Sequence, residues 1–159
     1  VRSTKPLVAA VDGLAIGIGT TMLMHCDLVH ASQRSVFRTP FVDLGLVPEA
    51  ASSLIAPRLM GHQRAFALLA MGETLDAETA RSANLVTRIC DDVETAGLEA
   101  AKALAAKPPE ALRMSRELIR GDREEIEKRI RIEFDHFAER LTSREAQAAF
   151  ASFMARPKG

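Results

Sequence analysis

Apolar and polar residues alternate in two different ways along this chain. Between Pro6 and Pro40 the apolar residues form short continuous runs closed by turn residues. Beyond Pro48 they recur at three- and four-residue steps. The first pattern reads as buried strands and the second as helical faces. PLVAAVDG (Pro6 to Gly13) predicts a buried strand ended by an Asp-Gly turn. GLAIGIGTTMLMHCD then places Gly13, Gly17 and Gly19 ahead of a helical Thr-Thr-Met-Leu-Met run. LVHAS (Leu28 to Ser32) and SVFRTP (Ser35 to Pro40) predict two short strands about a polar turn at Ser32–Ser35. LVTRIC (Leu85 to Cys90) predicts the last strand.

The remainder reads as helix. PEAASSLIAPRLMG has Pro48 at a first helical position and Glu49 in the first turn, with Pro57 as a break or kink. HQRAFALLAMG is stopped by Gly72. TLDAETARSANL starts on the Asp76–Thr79 signal and shows an apolar stripe of Leu75, Ala80, Ala83 and Leu85. Pro108–Pro109 separate VETAGLEAAKALAAK from PPEALRMSRELIRG. From Asp122 to Met154 the pattern is amphipathic, with Ile126, Ile130, Phe134, Phe137 and Leu141 on one sticky face. A few strands and loops therefore come first and a helical half follows, with no internal repeat and no long structureless linker.

Composition narrows the classes. At 159 residues the chain has one-domain length and can bury a sizeable core. Lys+Arg and Asp+Glu balance at 21 each, so no net field favours nucleic acid or an anionic membrane. The apolar runs are too short for a membrane span, and no signal-peptide layout opens the chain. The expected setting is bacterial cytoplasm or an organelle matrix. The chain starts at Val1 and enters a strand almost at once, which we expect of a fragment, a processed chain or half of a split protein. Cys26 and Cys90 have no zinc or redox spacing and read as small, reduced, apolar residues. His25, His30, His62 and His136 lack metal-ligand spacing, so no metal is expected.

Two features could carry chemistry. Gly17-Ile18-Gly19 follows a strand and precedes a helix, but the third glycine of a dinucleotide fingerprint is replaced by Met22. Such a turn could instead aim a backbone N–H at a developing oxyanion, or serve packing alone. Glu49 is either a helix-start acid with a routine dipole role or a base in an apolar setting. Leu44, Leu46, Val47, Pro48, Ala50 and Ala51 offer it little solvation, which raises a carboxylate's pKa toward that of a useful base. Asp43 is a weaker alternative. The lack of a Gly-x-Ser-x-Gly elbow disfavours a hydrolase nucleophile.

From Lys5 to about Ile89 these segments, in order, resemble the crotonase superfamily of enoyl-CoA hydratases and isomerases. The likeness rests on Lys-Pro, the glycine turn, Cys26-Asp27, Leu44-Gly45-x-x-Pro48 and Ala77-x-x-Ala80-x-x-x-x-Leu85-Val86. The resemblance implies an α/β fold, the C-terminal portion of a crotonase-like ββα superhelix. It places that core portion at 1–90 and a helical trimerisation region at 91–159. Hydratases of the family use two glutamates, whose matching positions here hold Thr21 and Phe41. Peroxisomal-type Δ3,Δ2-enoyl-CoA isomerases are more similar, through Thr39-Pro40-Phe41, Pro48-Glu49 and Ser52-Ser53.

On that resemblance Glu49 is the catalytic base and the Ile18 N–H an oxyanion donor. Ile16, Gly17, Thr21, Phe41, Leu44 and Leu46 would line the substrate pocket, and Phe137 would touch coenzyme A. The substrate would be an acyl-CoA thioester, with coenzyme A part of it and no separate cofactor. No nucleic acid or membrane partner is implied. A homotrimer or hexamer is, with a separate chain or a neighbouring subunit as one source of the N-terminal half that family members carry. A non-catalytic crotonase-like CoA-binding or assembly module is the alternative expectation, and an enoyl-CoA hydratase the third.

Overall fold

A computed structural model describes residues 2–155. The chain first makes two similar passes. Strand β1 (Val8–Val11) turns at Asp12–Gly13 into β2 (Leu14–Ile16), and a short helix α1 (Ile18–Thr21) with a 3-10 turn (Met22–His25) follows. Strand β3 (Leu28–Ala31) then turns at Ser32–Ser35 into β4 (Val36–Arg38). Each pass delivers one strand to each of two sheets. β1 pairs in parallel with β3, and β2 in parallel with β4. Two later short strands complete the sheets: β5 (Leu75–Asp76), antiparallel to β4, and β6 (Arg88–Ile89), parallel to β3. The predicted Pro6–Gly13 run is thus a strand and a corner, and β5 was not foreseen because two residues are too few to show a period.

Phe37 in β4 is fully buried, as is Leu68, within a core that also takes Val29, Ala31, Phe41, Leu46, Met60 and Val86. Helices α2 (Ser52–Met60) and α3 (His62–Leu69) pack on each other, and α4 (Ala77–Ser82) begins at an Asp76 cap whose carboxylate accepts from Thr79 N–H. Pro57 does not break α2, which runs unbroken to Met60. The helical region comprises α5 (Val93–Ala105), α6 (Pro109–Arg120), α7 (Arg123–Leu141) and α8 (Arg144–Met154). The amphipathic stretch from Asp122 is therefore two helices. Ser143 divides them, its hydroxyl capping Ala146 N–H.

These helices return to the strands. α5 packs on β1, closely enough that a Cβ on Gly97 would stand 3.2 Å from that of Ala10. α8 packs on the 3-10 turn Val42–Leu44, and α7 on α2. The expected sticky face of α7 is split. Ile126, Ile130 and Phe137 are half-buried, whereas Phe134 and Leu141 are exposed. The fully buried position on the inner face is a carboxylate, Glu133. No helix among the described residues is long and apolar enough to cross a membrane.

Candidate active site

The glycine bend comes first. Gly17 sits at φ 58°, ψ −120°, a conformation closed to residues with a Cβ, and its N–H donates to the Arg38 carbonyl at 2.8 Å. This ties the bend to β4 and starts α1 at Ile18. The first N–H groups of a helix have no intrahelical acceptor, and Ile18 holds that first position in α1. Thr20 fixes the helix from behind: its hydroxyl donates to Ala15 carbonyl at 2.5 Å, and Arg38 N–H donates to it at 3.3 Å. The Ile16 and Ile18 side chains point outward, 43% and 58% exposed, while Thr21 is fully buried.

The second part of the site is the loop from Phe41 to Ala51. Phe41 and Leu46 are buried in the core and Leu44 packs against it, so these three expected pocket residues support the loop from beneath. Asp43 is taken up by Arg38 at 2.7 Å and is half-exposed. Gly45 turns the chain at φ 68°, and its carbonyl accepts from Arg140 at 3.0 Å. The loop brings Glu49 to Thr21, whose hydroxyl donates to Glu49 Oε1 at 2.5 Å. Burial pushes the Glu49 carboxyl above the ordinary glutamate range; the Thr21 hydrogen bond opposes this, and the nearby Glu133 charge adds to it.

Glu49 is not a first-turn acid. Pro48 to Ala51 precede the helix, Ala50 and Ala51 both adopt left-handed backbone at φ 56° and 57°, and α2 starts at Ser52. Two consecutive alanines there cost on the order of 1–3 kcal/mol each. The cause of the late start is Glu133, 5% exposed, which accepts from Ala51 N–H at 2.5 Å and from Ser53 N–H at 3.0 Å. It also accepts from the Ser53 hydroxyl at 2.5 Å. A distant carboxylate caps the helix in place of the local acid. Across the loop, His25 Nε2 meets the Ala50 carbonyl at 2.6 Å.

The arrangement thus joins a half-buried carboxylate to the buried Thr21 of a short helix that begins at Ile18. Phe137 lies apart from it, packed on the core, and Phe134 one turn earlier is the ring left exposed, at 68%. A cavity of about 690 Å³ lies between α2, α6 and α7, beside Met24, Cys26, Leu59 and Arg116, and contains none of the expected site residues. Among the described residues no cluster of His, Cys, Asp and Glu could hold a metal ion.

A family model described as enoyl-CoA hydratase/isomerase matches residues 1–158. The chain belongs to that family. The fold is crotonase-like: an enoyl-CoA hydratase/isomerase from Pseudoalteromonas atlantica superposes with TM-score 0.94 at 43% identity, covering 99% of this chain and 66% of that one. Enoyl-CoA delta isomerase 2 of Rattus norvegicus is 43% identical over 123 residues, which are 76% of this chain and 32% of the rat protein. The mitochondrial enoyl-CoA hydratase of Pongo abelii is 30% identical over 136 residues, 79% of this chain and 47% of that protein. The chain thus spans about a third to a half of the length of these curated relatives.

Of the residues expected from the sequence, the structure brings Thr21 and Glu49 into contact and starts α1 at Ile18, while His25 and Glu133, which also hold the Glu49 loop, were not expected. A signal for Glu133 was present, since it holds a stripe position between Ile130 and Phe137 where an acid is costly. Nothing local to His25 pointed to Ala50.

Proposed function

We propose that this chain carries the base-bearing portion of a Δ3,Δ2-enoyl-CoA isomerase acting on acyl-CoA thioesters. The observation that carries the reading is the half-buried Glu49 carboxylate, joined to Thr21 with no second acid at Thr21 or Phe41. The C2 protons of a 3-enoyl thioester are acidified by both the carbonyl and the alkene. Glu49 removes one and leaves a dienolate. The same carboxyl then returns a proton at C4, giving the conjugated 2-enoyl thioester. A carboxylate whose pKa is raised by burial suits this work, because a stronger base removes carbon-bound protons more readily.

The thioester oxygen gains negative charge as the dienolate forms. The Ile18 N–H at the start of α1 is the donor proposed for it, and losing one such donor typically costs about 3–4 kcal/mol of transition-state stabilisation. Ile16 and Ile18 supply apolar surface beside it. Hydration needs a second group to place water across the double bond, and Thr21 has no charge to do so. The exposed Leu118 and Ile119 of α6 support an assembly of several chains, a homotrimer or hexamer within which the thioester site is completed.

The test is conversion of 3-enoyl-CoA to 2-enoyl-CoA by the chain, followed by absorbance of the conjugated thioester. Glu49→Gln should lower turnover by about 10²–10⁴-fold. Intact turnover in that variant, or faster hydration of a 2-enoyl-CoA than isomerisation, overturns the reading.

A further inference from the structure

Two side chains from distant parts of the chain close on a single peptide group. The Ala50 carbonyl accepts from His25 Nε2 at 2.6 Å, and the Ala51 N–H donates to Glu133 Oε2 at 2.5 Å. That carbonyl and that N–H belong to the same peptide unit, one bond past Ala50. A carbonyl only accepts, so Nε2 of His25 must carry the proton. Glu133 caps α2 through the Ala51 and Ser53 N–H groups, but a cap does not engage the carbonyl of the preceding residue. His25 adds that contact, so the peptide is held at its carbonyl as well as its N–H.

Each jaw is itself braced. Glu133 Oε1 accepts from Ser53 N–H and hydroxyl, and Arg129 reaches that hydroxyl at 3.2 Å. The His25 carbonyl accepts from Arg120, which also pairs with Asp27 at 3.3 Å. Between the jaws lie the left-handed Ala50 and Ala51, a backbone that alanine holds only when its surroundings enforce it. Glu49 adjoins Ala50 directly, so this peptide fixes the backbone from which the Glu49 carboxylate reaches Thr21. We propose that His25 and Glu133 are positioning residues that lock the Ala50–Ala51 peptide and thereby aim Glu49. The inference rests on Glu49 being the base.

The experiment has two arms on the whole chain. Carbon and nitrogen chemical shifts of Ala50 and Ala51 report whether the left-handed turn persists, independently of any activity. Isomerisation of 3-enoyl-CoA reports the aim of the base. Glu133→Gln and His25→Phe should each lose the left-handed shifts and lower kcat about 10- to 100-fold, with KM within twofold. His25→Gln, which keeps a donor, should retain most of the rate. The double variant should be little worse than either single one, since one free jaw already releases the peptide. Retained left-handed shifts with unchanged kcat in both single variants overturn the proposal. So does a lower melting temperature with unchanged kcat, which would make both contacts merely structural. If Glu49→Gln turns over like the wild type, the isomerase reading fails, and the chemical shifts alone then decide whether the lock exists.

Discussion

The Thr21 hydroxyl donates to the Glu49 carboxylate at 2.5 Å, so a residue of α1 and one of the loop before α2 act on one charge. The bond favours the ionised carboxyl and opposes the rise caused by burial. Thr21→Val keeps the shape and removes the donor. The acid limb of the isomerisation proposed above should then move to higher pH, with kcat/KM lowered about tenfold at the pH where Glu49 is half ionised in the wild type. A pH–rate profile of both proteins checks the direction; a shift downward would show that Thr21 does not hold the charged form.

Glu49 also links pH to stability. Its folded pKa is raised above the ordinary value of 4.5, so between the two values the folded state binds more protons than the unfolded state. Its contribution therefore favours folding below 4.5 and is lost as pH rises through the folded pKa. Glu49→Gln should melt a few degrees higher than the wild type at pH 8, and the difference should vanish near pH 4. Thermal scans across that range test the sign.

Gly45 meets the C-terminal helix backbone to backbone. A Cβ there would stand 2.7 Å from Ala146 N, and φ is 68°. Gly45→Ala should cost about 2–4 kcal/mol, read as a lower urea midpoint, because neither backbone can yield. The isomerisation proposed above should slow with it, since the same contact seats the Glu49 loop on α8.

Asp27 is the anchor of α6. It pairs with Arg116, whose side chain is 7% exposed, at 2.8 Å, and accepts from Leu7 N–H at 2.7 Å. Asp27→Asn should cost about 3–5 kcal/mol in denaturant unfolding, because it leaves a buried guanidinium without its counter-charge. The exposed Asp12 is held at about 2 by Arg34. Asp12→Asn at neutral pH should change unfolding by far less, as surface ion pairs in high dielectric contribute little.

Strands, corners and most helix ends were legible in the sequence because they depend on local chemistry. Asp76 starts its helix through a contact three residues away, whereas the break at Ser143 was not read within the amphipathic stretch from Asp122. The start of α2 was not legible, because the group that sets it is 80 residues distant in the chain. Pro48-Glu49 carries the local signature of a helix start, and the long-range Glu133 contact overrides it. Phe41 and Leu46 read equally well as pocket wall or core, since periodicity does not reveal which side of a loop faces the protein. Glu49 was legible as a candidate base from its motif and its apolar neighbours; its partners Thr21 and Glu133 came only with the fold.

The corner at Asp12–Gly13 sets a length as well as a direction. Val8 pairs with the residue twenty positions on, Leu14 with the one twenty-two on, because the Ser32–Ser35 corner is two residues longer. The two ladders are thus held in different phases by the difference between two loops. Deleting one residue at the first corner would leave β1 in place and slide β2 by about 3.3 Å, exchanging its inward and outward side chains. Ala15 would leave the core, and the Ile18 N–H would travel the same distance from Glu49. The spacing between the Ile18 N–H and Glu49, the donor and base proposed above, is therefore measured out by a corner that contains neither.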